Sequence, residues 1–226
     1  MTVAPLPRAS RRGLSREAAD LIREAILAGR FPPAAQLREV ELAAWLGVSR
    51  GSVREGLALL EREGLVHSVW HRGTTVIDVT AQDVEEVYGL RAALDRLAAT
   101  GAQQNATADQ LAELDTLVDA MSREIGGEAS GTRLLALDIA FHDRIYDAAN
   151  NRRLVDAWHA VRSQVHLFQL RRITLGYEHY RARVVDEHRE LVALLRSDDR
   201  ETLARRAEEH VDSARRGLLT GLRPAP

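Results

Sequence analysis

The sequence predicts a mainly α protein: an N-terminal winged helix-turn-helix with a small β-hairpin wing, followed by an all-α helical bundle. Three observations point there. Residues 39–66 read as two short helices around a Gly-x-Ser turn. Two β-branched runs, Val66–Trp70 and Thr75–Val79, flank His71-Arg72-Gly73-Thr74. From Thr80 onward, apolar residues recur at helical spacing almost to the end of the 226-residue chain.

Residues 1–13 hold three Arg, two Pro and no apolar period, and read as a disordered arm. Ser15–Leu27 is the first helix. Leu42 and Leu46 lie one helical turn apart and can share a small core. Gly47 sits where that second helix ends, and glycine tolerates the left-handed C-cap conformation. Ser49 follows as the N-cap of the next helix, its hydroxyl able to accept from a free backbone N–H. Val53, Leu57 and Leu60 form the buried face of that helix, while Arg50, Gly51, Ser52 and Arg54 crowd its first turn. Small and cationic residues there suit phosphates and base edges. Gly64 ends the helix. This layout places one helix in the major groove of DNA, and a basic Arg-Gly tip on the following hairpin can reach the backbone or minor groove. A Gly-x-Ser helical pair by itself is also common in proteins that bind no DNA. The wing directly after Gly64-Leu65-Val66 is the second, independent sign.

Bulk properties narrow the classes. There is no cysteine, which excludes disulfides and thiolate zinc fingers. No long apolar run or signal peptide is evident, so a soluble cytoplasmic protein that does not enter the membrane is expected. The net charge is -2 but uneven: residues 1–80 hold 11 arginines against nine acids, and residues 81–226 hold 20 against 24. A locally basic region on a near-neutral protein suits the reader of a short DNA site. The expected organisation is an arm over 1–13, the winged domain over 14–79, a helical effector-binding and dimerisation domain over 80–219, and a tail over 220–226. Within the helical domain, helices are expected near 81–104, 108–125, 131–149, 152–174, 178–196 and 199–217. Thr80 with Asp83 and Thr107 with Gln110 resemble capping boxes, and breaks fall at Gly126-Gly127, Gly131, Asn150-Asn151, Gly176 and Ser197-Asp198.

A second constellation lies in this bundle. Asp138 and His142 are four apart and share a helix face; His188 and His210 sit on later helices. One carboxylate and three imidazoles form a divalent-metal ligand set if the fold brings them together. The neighbouring acids Asp186, Glu187, Glu208 and Glu209 could orient the imidazoles or could be solvated surface charge. Taken alone, a helical histidine is more often a core or surface residue, and the Asp–His pair could be only a helix salt link. A metal centre with open positions could also activate water, as in a metal-dependent hydrolase. No general base is evident for that: Glu187 and Glu209 adjoin candidate ligands in sequence and are expected to point elsewhere on their helices. His159 and His166 are seven apart and could line a pocket on a face shared with His142, but packing between helices is the expectation. His67 and His71 fall in the wing, and His179 in a loop.

Residues 15–80 resemble the winged helix of the GntR family of bacterial transcription regulators. The resemblance rests on Ala25-Ile26-Leu27-Ala28-Gly29, Leu37-Arg38-Glu39, Glu41-Leu42-Ala43, Leu46-Gly47-Val48-Ser49-Arg50, Val53-Arg54-Glu55 and Gly64-Leu65-Val66. Where the family usually has Pro-Gly, Thr-Pro and Ala, this chain has Pro33-Ala34, Gly51-Ser52 and Gly56. Residues 81–218 resemble the all-helical FCD ligand-binding domain of the FadR subgroup. Its metal-containing members carry Asp-x-x-x-His on one helix and one His on each of the last two long helices, matched by Asp138, His142, His188 and His210. Arg91 matches an arginine typical of the domain's first helix, with Asp95 where Glu is common, and Asn151 matches a helix-start asparagine. The resemblance implies a ligand-responsive transcription regulator, not an enzyme, that pairs into a homodimer on a pseudo-palindromic double-stranded DNA operator. Its DNA contacts would come from Arg38, Ser49, Arg50, Ser52, Arg54, Arg72 and Gly73. A divalent ion of the zinc, nickel or manganese type would sit on Asp138, His142, His188 and His210, and Arg91 would meet a small organic acid effector. Sugar acids, hydroxy acids, dicarboxylates and aromatic acids all fit. A regulator that senses the metal itself and a constitutive DNA-binding protein whose bundle only dimerises are further readings, beside the metal-dependent hydrolase.

Overall fold

In the computed structural model, residues 12–126, 131–175 and 178–222 are described. The chain divides into two compact units, Met1–Asp78 and Val79–Pro226.

The first unit holds α1 (Arg12–Leu27), β1 (Gln36–Leu37), α2 (Glu39–Leu46), α3 (Arg50–Arg62), β2 (Val66–Val69) and β3 (Gly73–Val76). Helix α1 begins at Arg12, so Arg12 and Gly13 are helical rather than part of an arm; residues 1–11 lie outside the described residues. Gly47 takes the left-handed cap (φ 65°), and the Ser49 hydroxyl accepts from the Ser52 N–H at 3.1 Å. These two residues set the sharp turn that lets α2 and α3 meet. Gly64 (φ 66°) follows the end of α3. Ile22, Ile26, Leu42, Val53, Leu57, Leu60, Leu65 and Val76 form the buried core. Two ties pin α1 to α3: Ser15 Oγ donates to Glu55 at 2.5 Å, and Arg23 makes a bidentate pair with Glu63 at 2.6 and 2.7 Å.

The wing differs in detail from expectation. The sheet is three-stranded and antiparallel in the order β1-β3-β2, because the two-residue strand β1 pairs with β3 as well. A strand this short has no alternation to read. The hairpin strands are also shorter than expected, since Val66 pairs with Val76 and Val69 with Gly73. The turn is therefore Trp70-His71-Arg72, closed by the Arg72 N–H donating to the Val69 carbonyl at 3.0 Å, with His71 left-handed (φ 62°).

Among its described residues the second unit holds six helices: α4 (Ala81–Asn105), α5 (Ala108–Gly126), α6 (Gly131–Ala148), α7 (Arg152–Thr174), α8 (Glu178–Leu195) and α9 (Arg200–Leu222). Each expected helix is present within a few residues, and α9 runs on into the expected tail. Both capping boxes form: Thr80 with Asp83, and Thr107 with Gln110 through reciprocal bonds of 2.9 and 3.2 Å. Asn151 caps α7 by accepting from the Leu154 N–H. The breaks expected at Gly127 and Gly176 lie outside the described residues, and His179 sits in the first turn of α8 rather than in a loop. Helix α4 packs against α6, α7, α8 and α9, so its inward residues occupy the middle of the bundle. Small residues permit this. Ala98 and Ala102 are fully buried on α4, and a Cβ at Gly101 would lie 3.0 Å from Ala149.

Two departures from the family pattern carry opposite strain. Ala34 adopts φ 64°, a conformation that glycine accepts and an L side chain resists. Gly56 lies against α1, where an added Cβ would stand 2.9 Å from the Ser15 carbonyl oxygen and 3.1 Å from the Ala19 nitrogen. Ala34→Gly is expected to stabilise the protein by about 0.5–1 kcal/mol, the relief of left-handed strain less the added freedom of the unfolded chain. Gly56→Ala is expected to destabilise it by about 1–2 kcal/mol, overpacking set against better helix propensity. Urea unfolding of the two variants checks both signs; a more stable Gly56→Ala would mean that α1 gives way at no loss.

Candidate metal centre and DNA-binding face

In the bundle, Asp138 and His142 come from α6, His188 from α8 and His210 from α9. One donor atom from each lies within 4.8 Å of the others. Three of the side chains are almost wholly buried, and His210 alone reaches solvent, at 10% exposure. Hydrogen bonds on the outer side of the rings decide which nitrogen faces inward. His188 Nδ1 lies 2.6 Å from the Val184 carbonyl oxygen, which only accepts, so Nδ1 carries the proton. The other nitrogen, Nε2, then faces Asp138 Oδ1 at 3.1 Å. Among the described residues, neither that Nε2 nor either Asp138 oxygen has a well-aligned hydrogen-bond partner. Two lone pairs at this distance repel unless a cation lies between them or a second proton charges the ring. His210 Nδ1 meets Glu187 Oε2 at 2.9 Å, turning its Nε2 to within 3.3 Å of His142 Nε2. His142 Nδ1 in turn faces Asp95 Oδ1 at 3.6 Å. All three imidazoles are thus backed by an oxygen on Nδ1 and converge through Nε2. This is the arrangement in which imidazole ligands of divalent metals are held.

Burial would raise the Asp138 carboxyl, but His188, His142 and Arg91 hold it well below the usual carboxylate range. Asp95, likewise buried, is held at about 2 by Arg91 and His142. Burial brings the His210 imidazole down to about 4 against the pull of Glu187. A neutral imidazole is the form that binds metal. A shelf lies beneath His142: Asp143 accepts from Trp158 Nε1 at 2.7 Å and from Arg162 at 2.6 and 2.7 Å.

Arg91 is fully buried on α4. Its Nε donates to Asp95 at 2.9 Å, its guanidinium lies about 5.9 Å from the rings of Tyr88 and Trp158, and NH1 and NH2 have no well-aligned hydrogen-bond partner among the described residues. The hydroxyls of Tyr88 and Tyr146, both pushed up by burial, lie near Arg91 and Asp95 respectively but make no well-aligned hydrogen bond among the described residues. Donors left unmet in a protein interior are destabilising, so such a cluster marks a place where a ligand would be welcome.

Several outer residues sit otherwise than expected. Glu187 does not point away from the ligands; it accepts from His210 across the α8–α9 packing. Asp186, Glu208 and Glu209 pair instead with Arg189, Arg96 and Arg205/Arg206 at the surface. Asp95 and the Val184 carbonyl were not foreseen as partners of the rings. A carboxylate on another helix can be found only from the fold, and a backbone oxygen leaves no trace in the sequence. His159 is exposed, whereas His166 is largely buried and drawn down to about 4 by burial and by Arg162.

On the first unit, Arg50 and Arg54 project from the first turns of α3, 63% and 66% exposed. Arg38 is also exposed and pairs with Glu41 at 3.0 Å. Ser52 departs from its expected role: it is 5% exposed, with its hydroxyl 2.9 Å from Ser49 Oγ. It belongs to the cap, not to the outward face, and Ser49 likewise spends its oxygen on the helix start. At the wing, Gly73 takes φ 82° and Gln36 donates to the Arg72 carbonyl at 3.2 Å, presenting Arg72 at the turn. Trp70 beside it is 86% exposed.

Comparison with known proteins matches these two units to two families. A model described as bacterial regulatory proteins, gntR family, covers residues 14–76, and one described as the FCD domain covers residues 86–213. The HTH-type transcriptional regulator YdhC of Bacillus subtilis (strain 168) is 28% identical over 192 residues, 84% of this chain and 82% of that protein. A protein of Paenarthrobacter nicotinovorans described as a probable D-xylose utilization operon transcriptional repressor is 33% identical over 162 residues, 70% of this chain and 69% of its own. Among solved structures, a GntR regulator from Rhodococcus sp. RHA1 shares the fold with a TM-score of 0.78 at 24% identity, over 92% of this chain and 99% of that one. E. coli McbR/YncC does so at 0.76 and 21% identity, over 90% and 95%. With one model on the winged helix-turn-helix and the other on the six-helix bundle, the chain belongs to the GntR family of bacterial regulatory proteins, as a DNA-binding transcription regulator with an FCD domain.

Proposed function

We propose that the bundle binds a divalent metal ion on Asp138, His142, His188 and His210, and that a small organic acid completes the site and changes operator affinity. The observation that carries this reading is the close approach of Asp138 Oδ1 and His188 Nε2, buried without aligned hydrogen-bond partners among the described residues, beside an Arg91 whose two terminal nitrogens are also unmet there. A divalent ion of the zinc, nickel or manganese type supplies positive charge and open coordination positions for an anion. Arg91 receives a carboxylate through its terminal nitrogens while its Nε stays on Asp95. Tyr88 and Tyr146 offer hydroxyls to the rest of the ligand. The effector acts by favouring one arrangement of the paired chains, which alters their match to a two-fold operator. The D-xylose utilization operon in one relative's description supports an effector drawn from carbon metabolism.

Pairing has support on α4, where Leu90 and Leu97 are 50% and 58% exposed and share one face with the small residues Gly89 and Ala93. A hydrolase is disfavoured because the oxygens of Glu187 are engaged by His210 and Arg183, on the far side of the ring from the converging donors. No helix among the described residues is long and apolar enough to cross a membrane. That is compatible with the cytoplasmic placement proposed for a regulator of transcription.

A thermal-shift series with and without chelation tests the effector site. Chelation is expected to lower the melting temperature of wild type, and zinc, nickel or manganese to restore it; Asp138→Asn is expected to lose the restoration. An acid present at a hundredfold its Kd adds about 2.7 kcal/mol only when metal is present. A metal response without any acid response would favour the metal-sensing alternative, and steady turnover of a bound acid would favour the enzyme. For DNA, Arg54→Ala is expected to weaken operator binding by about 1–3 kcal/mol; unchanged affinity removes it from the interface. Leu97→Glu is expected to shift the protein towards monomer in light scattering, and an unchanged mass places the pairing face elsewhere.

A further inference from the structure

A carboxylate stands where the DNA-binding unit would meet phosphates. Glu39, in the first turn of α2, grips Arg54 with both oxygens: Nε donates to Oε1 at 2.9 Å and NH2 to Oε2 at 2.8 Å. Arg50 NH2 lies 3.8 Å from the same Oε2. The acid is recessed at 26% exposure, and the two guanidiniums stand forward of it at 66% and 63%. Folding stability is not the whole account of this pair. Even a well-formed bidentate pair at a surface contributes about 1 kcal/mol at most, and an acid on a DNA-facing surface works against phosphate binding.

The geometry of the fork offers a reason. A guanidinium has five N–H groups in one plane. Glu39 takes the Nε edge of Arg54, which leaves the opposite edge, NH1 with the outer hydrogen of NH2. Two parallel donors of that kind match O6 and N7 of guanine in the major groove. A long side chain held at its near edge also loses its rotamer freedom before DNA arrives, so less is lost on binding.

We propose that Glu39 is a positioning residue for sequence recognition: it holds Arg54 so that the far edge of the guanidinium reads a guanine, with Arg50 steadied beside it. This rests on the reading that α3 contacts bases through Arg54. Two simpler roles predict different outcomes. As a first-turn acid serving only the α2 dipole, Glu39 would affect folding and leave base preference alone. As a competitor for Arg54, it would weaken binding to every duplex.

The test uses the full-length protein at fixed salt, with a duplex recovered by selection from a random pool and a scrambled duplex as control. Glu39→Gln is expected to lower affinity for the selected duplex about tenfold, while affinity for the scrambled one holds or rises. Discrimination at one guanine should fall in Glu39→Gln and Arg54→Ala alike. In the Arg54→Ala background, Glu39→Gln should bring no further loss. Tighter binding to both duplexes, an equal loss on both, or a loss that persists without Arg54 overturns the positioning role. If Arg54→Ala binds the selected duplex like wild type, base reading by Arg54 falls and this proposal with it. If Arg54→Ala is weak and Glu39→Gln is normal, only the role of Glu39 falls.

Discussion

The second unit is organised around a buried carboxylate and imidazole whose contact calls for positive charge. Asp138 Oδ1 and His188 Nε2 approach to 3.1 Å inside a bundle that shields both from water. Such a contact persists where a cation lies between them, where a second proton charges the ring, or where packing over-determines the positions. Here the packing does so. His188 is tied to Val184 one helical turn back, and Phe141 stands edge-on to its ring at 4.4 Å between centroids. His210 is tied to Glu187 and His142 faces Asp95, so oxygens on α8 and α4 fix the inward nitrogens. Helix α4 is central for the same reason, since it brings Arg91 and Asp95 to the buried end of this cluster.

The DNA-binding unit depends on a tighter and more local constraint. Gly47 in the left-handed region and the Ser49 cap turn the chain between α2 and α3 within a few residues. That turn brings Glu39, at the start of α2, beside Arg54, one turn into α3. Close packing of α1 on Gly56 fixes the other face of α3. The helix therefore has one side determined by backbone contact and the other by charge. Its exposed arginines start from defined positions rather than from free rotation.

What could be read from the sequence follows the range of the interactions involved. Caps, the helix stops and the apolar periods are local, and they were legible: Thr80, Thr107, Asn151, Gly47 and Gly64 all act as their positions suggest. The Asp138–His142 pair was legible as a shared face. Its convergence with His188 and His210 was legible only through resemblance, because no spacing rule joins three helices. The failures are also physical. Ser52 looked like an outward residue in a polar first turn, yet its hydroxyl completes the cap. Glu187 looked misdirected, because adjacency to His188 says where it points on α8 and nothing of α9 beside it. Strand β1 was missed because two residues carry no alternation, and the Glu39–Arg54 pair because its partners are 15 apart on different helices.

Charge counting links the buried cluster to the kind of ligand proposed for it. Arg91 and the buried Arg172, whose charge reaches Tyr88, carry two positive charges, Asp95 and Asp138 two negative ones, and the imidazoles are neutral in the ligating form. Without an ion this buried set is neutral and offers an organic acid no net attraction. A divalent ion makes the set net positive by two, which one or two carboxylates offset. Burial magnifies this difference, because charges in a protein interior are screened far less than in water. On the proposed reading, the order is therefore built into the charges: the ion is a condition for the acid, and Arg91 alone, already shared with Asp95, is too nearly neutralised to hold a carboxylate by itself.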